Sequence, residues 1–318
     1  MSEATDISLW QSLIIPMGRL LLSLSLGLLV ANILESLHWT RYLARLAAPF
    51  AQAAHLGESA QAAFTMAFIS PAQANALLSE AHKAKKISLC ELILANLFNS
   101  LPAYFVHTPT IFLLTWPVLG FAALIYVALS LLAALLRTLA TLCLARWLLP
   151  PCSNIQTEIE DKATSSLRLA VQRACLRLGQ RLPRLLLFTV PVYVLMYYLQ
   201  TAGYFDRLNA WLSNETAAFA FLSPQSAGII MLHFLAELGS ALGAAGSLLA
   251  TGGINEHEVI VALLVGNILS TPIRALRHQL PSYAGFFNPA LGLRLILLNQ
   301  TFRAVSMTLI TLLYCLFF

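Results

Sequence analysis

The stretch PTIFLLTWPVLGFAALIYVALSLLAALLRTLATLCLARWLL, residues 109–149, holds two arginines, no acid, and otherwise apolar or small polar side chains. As one helix rising 1.5 Å per residue it would run about 60 Å, roughly twice the hydrocarbon thickness of a bilayer. It must therefore break, with the neighbourhood of Pro117 the expected place, or project into water. Further apolar blocks lie outward from it at residues 13–34, 62–78, 89–106, 185–199, 259–269 and 289–318. Of the 318 residues, 58% are hydrophobic and 10% charged, against about 25% charged in an ordinary soluble domain. A soluble chain of this composition could not cover its surface, and a disordered chain is excluded by the same balance. The short alternating segments of a β-barrel are absent. The expectation is an all-α, polytopic membrane protein with the bilayer as its first partner.

The net charge of +5 does not point to nucleic acid, because the cations gather in a few loops, as membrane topology requires. The five cysteines (90, 143, 152, 175 and 315) form no CxxC pair and no His/Cys set with metal spacing. They read as reduced, small apolar residues. The N-terminus carries Glu3 and Asp6 before Arg19, and the apolar block that follows is too long for a signal-peptide core, so it reads as a retained span.

Three units emerge: residues 1–150, a polar connector at 151–182, and residues 183–318. The connector's second part is amphipathic, with Leu167, Val171, Ala174, Leu178 and Leu182 on one face and Arg173, Arg177 and Arg181 on the other. It suits a surface helix that sets topology, with an acidic-lipid or partner site as the alternative. A mixed stretch at 38–55 with Trp39, Arg41, Tyr42 and Arg45 suits a helix lying on the membrane.

The outer units echo each other. Phe68-Ile-Ser-Pro71 matches Phe221-Leu-Ser-Pro224, and Leu77-Leu-Ser-Glu80 resembles Phe234-Leu-Ala-Glu237. Ala95-Asn-Leu-Phe-Asn-Ser-Leu-Pro102 matches Gly266-Asn-Ile-Leu-Ser-Thr-Pro272 with one deletion, and Trp39-Thr-Arg-Tyr-Leu43 resembles Tyr204-Phe-Asp-Arg-Leu208. With each Ser-Pro segment a broken or re-entrant hairpin, each half has three spans, and an odd number inverts the second half. An outside N-terminus then places Arg41, Arg45, Lys83, Lys85, Lys86, Arg146, Arg274 and Arg277 in the cytoplasm, with the uncharged loop around His107 outside. Two inverted repeats with broken elements form an architecture shared by many secondary transporters.

That arrangement nominates a substrate site of Ser70, Gln73, Ser223 and Gln225 at the breaks, and Asn96, Asn99, Asn267 and Ser270 on the following spans. Packing by small polar residues is the structural alternative. Glu237 follows His233 by four residues on one helical face, an intramembrane pair suited to carrying a coupling proton. Arg303 and Arg137 occupy matching long helices and read as inward-facing clamps. Metal, nucleotide and nucleophile motifs are absent: HExxH, GxxxxGK[ST] and GxSxG do not occur. No cofactor, resident metal or enzymatic reaction is expected.

The stretch Gly253-Ile-Asn-Glu-His-Glu-Val-Ile-Val-Ala-Leu-Leu-Val-Gly-Asn-Ile-Leu-Ser-Thr-Pro-Ile-Arg274, with Leu276-Arg-His-Gln-Leu-Pro-Ser-Tyr-Ala-Gly-Phe-Phe287, resembles the nucleoside-recognition, or Gate, domain family. That family occurs in the membrane part of ferrous-iron transport B proteins, in nucleoside transporters and in the spore maturation A and B proteins. The resemblance covers most of residues 60–110 and 215–290 and is weaker in the first half, where Lys86-Ile-Ser-Leu-Cys-Glu91 stands for Ile254-Asn-Glu-His-Glu258. It implies a stand-alone double-Gate protein of the inner (plasma) membrane that moves, or gates the path of, a small solute such as a nucleoside or a metal ion. The rival expectation is a non-transporting scaffold or assembly subunit that binds a partner protein. A homo-oligomer or a membrane partner fits either reading.

Overall fold

The computed structural model describes residues 9–36, 40–151, 167–204, 207, 223–236 and 238–318. Among these, a π-helical turn (Trp10–Ile14) leads into α1 (Ile15–Ser36), followed by α2 (Thr40–Ala53), α3 (Glu58–Ala67), α4 (Pro71–Lys83), α5 (Leu89–Phe98), α6 (Ser100–Leu119) and α7 (Ala122–Leu148). Next come α8 (Leu167–Thr201), α9 (Pro224–Ala236), α10 (Leu238–Ala250) and α11 (Glu256–Arg274). A π-helical stretch (Ala275–Gln279), α12 (Leu280–Phe287) and α13 (Pro289–Phe317) complete the chain. The described residues contain no strand. Five helical stretches are long and apolar enough to cross a membrane: Trp10–Val30, Leu89–Leu119, Ala122–Leu148, Glu256–Arg274 and Pro289–Phe317. These helices make the chain a multi-pass membrane protein. Trp39, Phe205, Asp206, Trp211, Phe221, Glu237 and the connector's residues 152–166 lie outside the described residues.

Local chemistry sets the helix starts. Ser70 accepts a hydrogen bond from the Gln73 amide with Pro71 in the first turn, where a proline's missing N–H costs nothing. Ser223 accepts from the Ser226 amide directly before Pro224 in the same way. Ser88 caps α5, and Asn255 with Glu258 forms a full capping box on α11. The last span of each half follows a residue at positive φ: Gly120 (φ 52°) before α7 and Asn288 (φ 91°) before α13.

The break expected near Pro117 falls at Gly120, three residues on, and two further expectations are corrected. Pro109 and Pro117 both lie inside α6, and Gly120 alone can take its backbone conformation without a Cβ penalty. The third span thus extends to Leu119, and His107, expected in a loop, lies within α6. The amphipathic helix of the connector is not separate from the span at 185–199, because α8 runs unbroken through Pro183 and Pro191. Its apolar part, Thr189–Leu199, is shorter than the five full spans.

The core divides in two. One cluster joins α1, α6, α8, α9, α10 and α11 with the start of α7 (Ala122, Ala123, Tyr126) and the end of α13 (Met307, Tyr314). The other joins α2, α3, α4, α5 and α12 with the end of α7 (Ala145, and Leu149 just past it) and the start of α13 (Leu295). The two long helices pack on each other. Each cluster takes opposite ends of them, so they run antiparallel, with Arg137 and Arg303 near their midpoints.

Candidate functional site

α11 and α13 meet along a narrow cleft lined by Asn267, Ile268, Thr271 and Pro272 from one helix and Gln300, Arg303, Ala304 and Met307 from the other. It pinches too tightly for a water-sized sphere. Arg303 donates through Nη2 to Asn267 Oδ1 at 3.2 Å, and the Thr271 hydroxyl donates to the same oxygen at 2.7 Å. Arg274 reaches Thr271 Oγ1 at 3.5 Å. Pro272 has no N–H, so it cannot complete the helical bond to the Ile268 carbonyl, and the helix passes into the π-helical stretch just beyond. Tyr126 of α7 lies beside Asn267. His233, 2% exposed, packs its ring against Gly266, where an added Cβ would meet His233 Nδ1 at 2.7 Å.

The first half builds a similar contact. Arg137, 6% exposed, donates through Nε to Ser100 Oγ at 2.9 Å, just past the break between α5 and α6 at Asn99. In each half the long last helix sends an arginine to a polar side chain of the preceding span, Ser100 in the first and Asn267 in the second. The Arg137 and Arg303 charges are close enough to repel each other. A third polar group holds α4, α5 and α12 together: Asn96 Nδ2 donates to Asn75 Oδ1 (3.2 Å) and to the Tyr283 hydroxyl (3.3 Å). Beside it, the Ser79 hydroxyl and Lys83 Nζ both donate to the Phe286 carbonyl.

Asn267, Ser270, His233 and Arg303 gather around one centre, with Asn99 and Arg137 beside the neighbouring break. Asn96 is buried but belongs to the α4–α5–α12 group. Ser70 and Ser223 do not meet: α4 packs on α3, α5 and α12, and α9 packs on α10 and α11. Gln73 is exposed, and Ser70 serves as a helix cap. The shared site expected at the two breaks is thus split, because each hairpin is absorbed by a different core cluster. Gln225 is buried at the start of α9. Sequence reasoning missed Tyr126, Gln300, Asn75 and Tyr283. Gln300 was findable, since it precedes Arg303 by three residues and so shares its helical face.

Among the described residues no group of three or more His, Cys, Asp or Glu side chains is placed to hold a metal. Fold and site together define a multi-pass helical membrane protein with a buried, arginine-bearing polar centre.

Three proteins of Methanocaldococcus jannaschii are similar to this chain. MJ0871 is 28% identical over 233 residues, covering 73% of this chain and 72% of the relative. MJ0880 is 24% identical over 310 residues, covering 94% and 97%, and MJ1556 is 26% identical over 282 residues, covering 88% of each. All three are described as uncharacterized. No protein-family model matches the chain, and no solved structure matches it.

Proposed function

We propose that this chain is a transporter of the inner membrane, or the gate of a transport path, for a small solute, built from two Gate-like inverted repeats and working without a chemical step. The observation that carries the reading is the polar centre at the midpoints of α7 and α13. Charged side chains at bilayer depth are costly and persist where they line a path or a cavity. Broken helices survive there for the same reason, since lipid cannot satisfy freed backbone groups. The pinched cleft suits a closed conformation, with alternating access opening it to one side at a time.

The inverted relation has its own support. Ile87, at the start of α5, shares a cluster with Leu149 and Phe287, whereas Ile254 and Val259, at the start of α11, share the other with Ala122 and Tyr314. Such a contrast between equivalent starts is what two inverted copies would produce. Single cysteines replacing Lys85 and Glu256, on a cysteine-free background, should react with an impermeant maleimide from opposite sides of the membrane, Lys85→Cys from the cytoplasm. Labelling of both from one side ends the inverted-repeat reading.

The path itself is tested by Ala304→Cys on that background, with Leu309→Cys as a control on the exposed, lipid-facing side of α13. A transport path predicts that Cys at 304 reacts with a small charged methanethiosulfonate while Cys at 309 does not. A sealed 304 position returns the protein to the scaffold reading.

A further inference from the structure

Among the described residues, the centre holds positive charge with no carboxylate beside it. Each guanidinium offers five N–H donors and no acceptor. Among the described residues, Arg137, Arg303 and Arg274 make one side-chain hydrogen bond apiece within this centre. The described carboxylates are placed elsewhere. Glu58, Glu80 and Glu256 are exposed, Glu91 accepts from the Gly57 amide, and Glu258 closes its capping box on Asn255. Gln300 also lines the cleft, at 7% exposure, and its side-chain Nε2 is a further donor there. A cationic cluster that only braced helices would gain from an intramembrane acid or from full use of its donors, and the described residues provide neither.

We infer that the cleft between α11 and α13 binds a small anion bearing a carboxylate, phosphate or sulfate group, with Arg303 as its direct contact. The planar guanidinium fork matches two oxygens of such a group, which a single ammonium would not. Asn267 and Thr271 fix the fork's orientation through the shared Oδ1. Ile268, Pro272, Ala304 and Met307 form an apolar wall that keeps water from weakening the attraction. Arg137 and Arg274 add positive field without lining the cleft. The inference names the cargo class of the proposed path and rests on that path for its purpose, but binding is measurable on its own.

The test is thermal denaturation of the purified full-length protein in sodium phosphate, sulfate or succinate, against sodium chloride at equal ionic strength. At least one of the three should raise the midpoint saturably, as a ligand of the folded state must. Arg303→Gln should weaken the apparent affinity at least tenfold and Arg303→Lys by less. Should the variants not fold, the wild type carries the test: the effective anion should slow phenylglyoxal modification of Arg303 at least fivefold, read by peptide mass spectrometry. No response beyond chloride, or wild-type affinity in Arg303→Gln, overturns the inference. Protection of Arg303 by phosphatidylglycerol but by no soluble anion would assign the phosphate chemistry to a lipid headgroup and overturn the solute. A reactive cysteine at 304 without anion binding removes the anion and leaves the path. Anion binding with a sealed 304 position removes the path and leaves the site.

Discussion

Gly27→Ala is expected to destabilise the protein by about 3 kcal/mol, at the upper end of the cost of overpacking a close-packed interface. Gly27 lies where α1 crosses α6. A Cβ there would collide with the Leu113 carbonyl oxygen and lie 3.0 Å from its carbon. The obstacle is backbone in a helix, so no rotamer change relieves it and the two helices must separate. Small residues at such crossings let membrane helices gain the dispersion contacts that replace hydrophobic driving force in lipid. Separation would loosen Leu24 and Leu28, both buried on the same face of α1. Gly18→Ala in the same helix is the control, since nothing lies within 4 Å of its added Cβ. Alanine is the better helix former by about 1 kcal/mol, so that variant should be slightly more stable than wild type. Thermal midpoints in detergent measure both, and equal midpoints for the two variants would reject the tight crossing.

The same contrast between open and crowded backbone explains which features of the fold were legible. Composition and block length were enough for a helical membrane protein, because they depend on the solvent and not on tertiary detail. The caps went unread, although Ser-Pro at 70–71 and 223–224, and Asn255 with Glu258, act within one helical turn. Breaks were legible only in part. The neighbourhood of Pro117 was read as a break, yet α6 passes through both Pro109 and Pro117, and the break falls at Gly120. Packing against α1 and α7 holds α6 together across its prolines, which no periodicity reveals. Arg303 and Asn267 were both nominated, but their pairing depends on α11 and α13 lying side by side. The joint site at Ser70 and Ser223 failed because matching sequence gives matching local structure without requiring the two copies to touch.

Arg137→Met is expected to leave a protein at least as stable as wild type that has lost its anion response. Arginine at the centre of a membrane helix costs about 2.5–3.5 kcal/mol on insertion scales. The bond to Ser100 Oγ returns part of this, since a hydrogen bond to a charged group is worth about 1.5–3 kcal/mol. Repulsion from Arg303 subtracts from that return. Methionine fills a similar volume without charge, and exchanging buried charge for well-packed apolar side chains is often neutral or stabilising. Ser100 then has its own preceding turn to bond, because serine hydroxyls commonly reach the carbonyl four residues back. An anion in the cleft would lose the field of one neighbouring charge, so its apparent affinity should fall at least tenfold. Stability kept or gained while binding is lost marks a residue retained for function at the expense of the fold. The measurement is the midpoint of Arg137→Met with and without the effective anion. A midpoint several degrees lower, with the anion response intact, would make Arg137 a clamp for the break at Asn99 and leave Arg303 to bind alone.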